Sequence, residues 1–96
     1  MIEEEISNII KALSVNSRFQ IIKLISNRKL CVNAIARKLG ITQSAVSQHL
    51  KILKDCNLVY PDRYGSIIHY QVNKETIEHF ITAFNELLKE DEKSNE

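Results

Sequence analysis

The stretch Leu39-Gly40-Ile41-Thr42-Gln43-Ser44-Ala45-Val46-Ser47-Gln48-His49-Leu50-Lys51-Ile52-Leu53 decides the fold. Thr42 stands where an N-cap belongs, because its hydroxyl can accept from a free amide of the next turn. The helix it starts runs to about Cys56. Upstream, Ile35, Ala36 and Leu39 form a short apolar stripe, and Gly40 suits a left-handed helix C-terminus. Two helices separated by about three residues that include a glycine form a helix-turn-helix, here over residues 33–55. The small Ala36 lets the helices approach, Gly40 turns the chain, and Val46 packs into the angle between them.

At 100° per residue, Val46, His49, Leu50 and Leu53 share the side of the second helix that packs on the domain. Ser44, Ser47, Gln48 and Lys51 face outward, with Thr42 and Gln43 at the helix start. Residues 43–54 contain no acid. That outward chemistry suits a DNA major groove: Gln pairs bidentately with adenine, Ser donates or accepts at several base edges, and Lys reaches phosphate or guanine. Arg37 and Lys38, just before the turn, are expected at phosphates.

Working outward, Ile2, Ile6, Ile9, Ile10 and Leu13 fall at helical spacing over residues 2–13. A second helix is expected from about Asn16 to Ser26, with Asn16 or Ser17 as N-cap. Its apolar Phe19, Ile21, Ile22, Leu24 and Ile25 cover more than one face, as in a central core helix. Beyond Leu58 the period changes to alternation. The runs Leu58-Val59-Tyr60 and Ile67–Val72, around a turn at 61–66, predict a hairpin over 58–72 with Arg63 near its tip. A basic tip can reach a phosphate or a minor groove beside the helix's major-groove site. Asn73 caps a last helix over about 74–90, lined on one side by Ile77, Phe80, Ile81, Phe84, Leu87 and Leu88. Residues 89–96 are polar and expected to fray. The expected architecture is a single domain over 1–96, mainly α with a small β-hairpin. Its order is helix, helix, a short strand, helix, helix, strand, strand, helix, which is a winged helix-turn-helix.

The chain has 96 residues, 26% charged and 44% hydrophobic. A domain of this size buries only about 60–65% of its unfolded surface and gains from a partner. The terminal helices, 1–13 and 74–90, carry wide apolar stripes that a second copy can cover. Ile2, Ile6, Ile9, Ile77, Phe80, Ile81, Phe84 and Leu88 are the expected homodimer contacts, and a two-fold pair sets two recognition helices about 34 Å apart. The net charge of +1 conceals a segregation: residues 1–10 carry −3, residues 11–74 carry +9 and residues 75–96 carry −5. A basic middle between acidic ends fits a polyanion-binding centre, here double-stranded DNA. No apolar run approaches the ~20 residues that span a membrane. The acidic opening Glu3-Glu4-Glu5 is unlike a secretory n-region. Two cysteines do not make a secreted disulfide framework, so a reduced, cytoplasmic setting is expected. No nucleophile–base pair, Gly-rich phosphate loop or paired carboxylates point to an enzyme, and no cofactor is implied.

Over residues 10–73 the chain resembles the ArsR/SmtB family of small winged-helix repressors. The resemblance rests on Ala12-Leu13-Ser14 with Asn16-Ser17-Arg18-Phe19, on Leu30-Cys31-Val32, on Leu39 through Leu53, on Leu58-Val59 and on the wing through Tyr70. It implies a homodimer that binds an operator and releases it when an inducer binds. The departures concern metal. Sensors of this family often carry Cys-x-Cys entering the helix-turn-helix; here Cys31 fills the first position but Asn33 stands at the second, and one thiolate is too few for a soft metal. The zinc positions of the last helix correspond to Lys74, Thr76, Leu87 and Glu90, and His79 stands apart, so no metal site is expected. Cys31 and Cys56 are the alternative sensor. A disulfide or persulfide bridge between them would reposition the recognition helix, provided their Cα atoms come within about 7 Å; the plainer reading is two packed thiols. A protein-interaction module, with the acidic ends as docking segments, is the other class of function kept in view.

Overall fold

Three consecutive acids open the first helix, where the positive end of the helix dipole favours them. Glu5 Oε1 also accepts from the Ile2 amide at 2.8 Å. This helix, α1, spans Glu3–Leu13, and α2 follows over Asn16–Ile25. The computed structural model describes the backbone of residues 1–94 and the side-chain surroundings of residues 1–89. The remaining elements are β1 (Leu30–Cys31), α3 (Val32–Leu39), α4 (Gln43–Asp55), β2 (Val59–Tyr64), β3 (Ile67–Val72) and α5 (Lys74–Ser94). This is a winged helix-turn-helix.

The turn between α3 and α4 forms as its residues dictate. Gly40 adopts φ 67°, and its amide and that of Ile41 both return to the Ala36 carbonyl. The far end of α4 closes with a Schellman motif: the Leu58 amide bonds to the Leu53 carbonyl at 2.9 Å and the Asn57 amide to the Lys54 carbonyl at 2.8 Å. The left-handed residue this requires is Asn57, φ 63°, one of the few residue types that tolerate it. Leu58, thrown inward by that turn, is fully buried. The core gathers around it from Ile21 and Ile25 of α2, Ile35 and Ala36 of α3, Val46, Leu50 and Leu53 of α4, and Val59 and Val72 of the sheet.

Several expectations are corrected. Neither Asn16 nor Ser17 caps α2; Val15 is its N-cap, without a side-chain bond, and Asn16 Oδ1 accepts from Gln20 Nε2 one turn on. Phe19 is 46% exposed, since α2 turns Ile21 and Ile25 inward instead. The turn of the hairpin is not 61–66 but the pair Gly65-Ser66, Gly65 at φ 61°. Pro61 does not break the strand, because the sheet order is β1-β3-β2 and β2 is an edge whose outer side needs no amide. The register pairs Tyr64 with Ile67, Asp62 with His69 and Val59 with Val72, while β1 meets only Tyr70 and His69. Asn73 caps α5 as expected, its Oδ1 accepting from the Thr76 amide at 3.2 Å. The last helix continues past 90 to Ser94 rather than fraying from 89; residues 95–96 lie outside the described residues.

α5 packs along α1, and its 21 residues extend the domain to 55 × 23 × 19 Å. The expected dimer stripe divides here. Ile6 and Ile9 are 4% and 2% exposed, because this spacing on α1 turns them onto their own domain, so they are not surface contacts. Ile77 and Phe80 pack partly against the core. Ile2, Ile81, Phe84 and Leu88 stay exposed, joined by Ile10.

Candidate nucleic-acid interface

Thr42 starts α4, its Oγ1 accepting from the Ala45 amide at 3.1 Å. From that start, helical periodicity buries Val46, Leu50 and Leu53 and leaves Ser44, Ser47, Gln48 and Lys51 exposed. Gln43 is exposed too, but its Nε2 donates to Asn33 Oδ1 of α3 at 3.3 Å, so one end of its amide is already engaged. Lys51 lies 3.4 Å from Asp55 with both side chains well exposed, a pair too weak to hold the ammonium against a phosphate. Arg37 and Lys38 are exposed in the last turn of α3, beside the Gly40 turn.

An arginine reaches the underside of α4 beside its buried Val46, Leu50 and Leu53. Arg18 of α2 donates from Nε to the Ala12 carbonyl at the end of α1 (2.7 Å) and places Nη1 3.4 Å from His49 Nδ1. Because a guanidinium only donates, Nδ1 must accept, which leaves the proton on Nε2. Burial, and then the Arg18 charge, hold the His49 pKa below its ordinary 6.5, consistent with a neutral ring.

The wing joins this surface by strand alternation. Val59, Pro61 and Arg63 share one face of β2, and Val59 is buried against the core. Arg63 thus extends the domain-facing side of the sheet beyond the domain itself. On the same face Tyr70, opposite Pro61, lines a cleft of about 230 Å³ with Ser47, Lys51, Lys54 and Asp55 of α4. The outward surface of α4 and the Arg63 face of the wing therefore flank one cleft. Sequence reasoning missed Lys54 and Tyr70 there. Lys54 was available from its three-residue spacing after Lys51, and Tyr70 from its parity with Val72.

The two thiols are not brought together. Cys31 is the N-cap residue of α3 and lines a cleft with Val32, Ile67 and Ile68 beside the wing. Cys56 ends α4, its Sγ 3.7 Å from the Asn8 carbonyl, in a separate cleft of about 430 Å³ between α1 and α5. Burial, and then Asp55, push the Cys56 thiol up, which disfavours the reactive thiolate. Among the described residues no three of His, Cys, Asp and Glu gather as a metal site, and no helix is long and apolar enough to cross a membrane.

Comparison with known proteins bears on this geometry. The profile described as "Bacterial regulatory protein, arsR family" matches residues 15–60. The arsenical resistance operon repressor of Staphylococcus aureus is 33% identical over 82 residues, covering 85% of this chain and 79% of that protein. The chain belongs to the ArsR family. As an ArsR-family protein it is a transcriptional regulator with a DNA-binding winged helix-turn-helix fold, and not an enzyme. Solved structures carry the same fold. The ArsR-like transcriptional regulator from Rhodococcus sp. RHA1 superposes with a TM-score of 0.87 at 21% identity, over 95% of this chain and 86% of that one. The homodimeric winged helix-turn-helix DNA-binding domain of Mb0332 from Mycobacterium bovis gives 0.73 at 24%, over 97% and 85%.

Proposed function

We propose that this ArsR-family regulator is a homodimeric repressor that reads a two-fold-related DNA sequence and leaves it when an inducer binds. The observation that carries the reading is the outward face of α4 over residues 43–54, which holds no acid before Asp55 and flanks one cleft with the Arg63 face of the wing. Gln43, Ser44, Ser47 and Gln48 enter the major groove as base readers, the free end of the Gln43 amide included. Lys51, Arg37 and Lys38 hold phosphates, Thr42 fixes the helix start, and Arg63 contacts the backbone or minor groove alongside. Pairing uses the exposed apolar residues of the terminal helices, Ile2, Ile10, Ile81, Phe84 and Leu88. The homodimeric Mb0332 domain, which shares the fold, supports pairing, and the repressor named in S. aureus supports repression.

The test is selection from a random duplex pool, followed by fluorescence anisotropy on the enriched duplex and a scrambled control at one salt concentration. The expected product is an inverted repeat with half-site centres about 10–11 base pairs apart or a whole turn more. It should bind at least ~10³-fold tighter than the control. Equal affinity for both duplexes would overturn sequence-specific recognition; enrichment of a site with no dyad would overturn the two-fold dimer.

A further inference from the structure

The outer half of the wing is a two-stranded ribbon. β1 supports β3 only at Tyr70 and His69, so the pairs Arg63–Ile68 and Tyr64–Ile67 have no third strand beneath them. Such a ribbon is marginal by itself and free to swing. Yet the side chains on either side of Arg63 are tied down. Asp62 Oδ2 accepts from Lys29 Nζ at 3.0 Å, from the Tyr64 hydroxyl at 3.3 Å and from Gln71 Nε2 at 3.4 Å. Lys29 also donates to the Tyr64 hydroxyl, and its ammonium lies 4.4 Å from the centre of that ring. The edge of His69 closes the cluster against Tyr64, with ring centres 5.4 Å apart.

Lys29 belongs to the connection between α2 and β1, so the cluster fastens the wing to the body of the domain across 33 residues of sequence. By alternation Asp62 and Tyr64 point to the face opposite Arg63. The fastening therefore leaves the arginine free while holding the main chain on both sides of it.

We infer that Lys29, Asp62 and Tyr64 form a clasp whose work is to position Arg63 for DNA, touching no nucleic acid themselves. The inference rests on the wing contact proposed above, and the clasp acts through Arg63 as a set of positioning residues. The bonds it uses are exposed, so it adds little to folding stability. Its value lies in confining the wing before DNA arrives, which lowers the ordering cost of binding.

Electrostatics gives the test a sign. Asp62→Asn removes an acid from a protein that binds a polyanion and releases Lys29 from its partner. On charge alone both changes tighten DNA binding; the clasp requires that binding weaken. Affinity for the selected duplex would be measured for Asp62→Asn and Tyr64→Phe, each with Arg63 intact and with Arg63→Ala. The Arg63→Ala change should cost about tenfold near 0.1 M salt, the loss of one phosphate contact. With Arg63 intact, Asp62→Asn should weaken binding about threefold and Tyr64→Phe less, a part of what ordering that contact saves. In the Arg63→Ala background, neither should weaken it. Thermal midpoints should stay within about 2 °C, as for an exposed pair. Unchanged or tighter binding by Asp62→Asn with Arg63 present overturns the clasp, and so does equal weakening in both backgrounds. An Arg63→Ala protein that binds like the parent overturns the wing contact itself, and the clasp's role with it.

Discussion

Ile81 gives the most direct test of how the chain pairs. It is 59% exposed in the single chain, although Phe80 beside it on α5 packs against the core. Replacing it with Ala removes roughly three carbon groups, worth about 0.8 kcal/mol each on full burial. The share left for a partner to cover is a little over half, or about 1.4 kcal/mol per protomer on the same scale. A two-fold interface contains the residue twice, so Ile81→Ala should weaken dimerisation by about 3 kcal/mol, roughly 100-fold in dissociation constant. Sedimentation equilibrium across a concentration series reads that constant. Ile9→Val supplies the contrast: Ile9 is 2% exposed, so its loss should lower folding stability by about 1 kcal/mol and leave pairing within a few-fold of the parent. A dimer constant for Ile81→Ala within about threefold of the parent would refute the α5 interface, since a contact of that area cannot vanish without effect.

Other outcomes follow from single residues. Gln48→Ala should cost about 1–3 kcal/mol on the selected duplex and much less on random DNA; equal losses on both would remove Gln48 from base reading. Thr42→Ala deletes the N-cap bond of α4 and should lower stability in urea unfolding by about 1 kcal/mol. Gly40→Ala meets open space but holds φ 67°, so it should cost about 1–2 kcal/mol from conformation alone; a neutral result would mean that the turn relaxes. The folded His49 binds its proton less readily than the unfolded one, so stability should fall as pH drops below about 6.5. His49→Gln should flatten that part of the curve of thermal midpoint against pH, and an unchanged slope would assign it to other groups.

What the sequence made legible was whatever local chemistry determines. The α3–α4 turn needs one residue at positive φ and one capping hydroxyl, and Gly40 and Thr42 announce both. The outward face of α4 followed from 100° steps, because a helix with Val46, Leu50 and Leu53 inside leaves no choice for Ser47 and Gln48. Periodicity says which residues share a face, but not which neighbour covers it. That is why Ile6 and Ile9 looked like surface for a partner when α1 turns them inward. Pro61 looked like a turn because its place on an edge depends on strand order, which only the assembled sheet fixes. The Lys29–Asp62 pair was invisible for the same reason, its members meeting across 33 residues of chain.

One consequence of the exposed α4 face concerns how such a domain diverges. Ser44, Ser47 and Gln48 are exposed, and their side chains make no hydrogen bond to another described residue, only their main chains belonging to the α4 ladder. Exchanging them should change folding stability by no more than about 0.5 kcal/mol, the usual scale for such surface positions. The scaffold is indifferent to what these positions spell, while Val46 and Leu53 beneath them admit almost no change. After a gene duplication, one copy can acquire a new binding preference in a few substitutions with no intermediate that fails to fold.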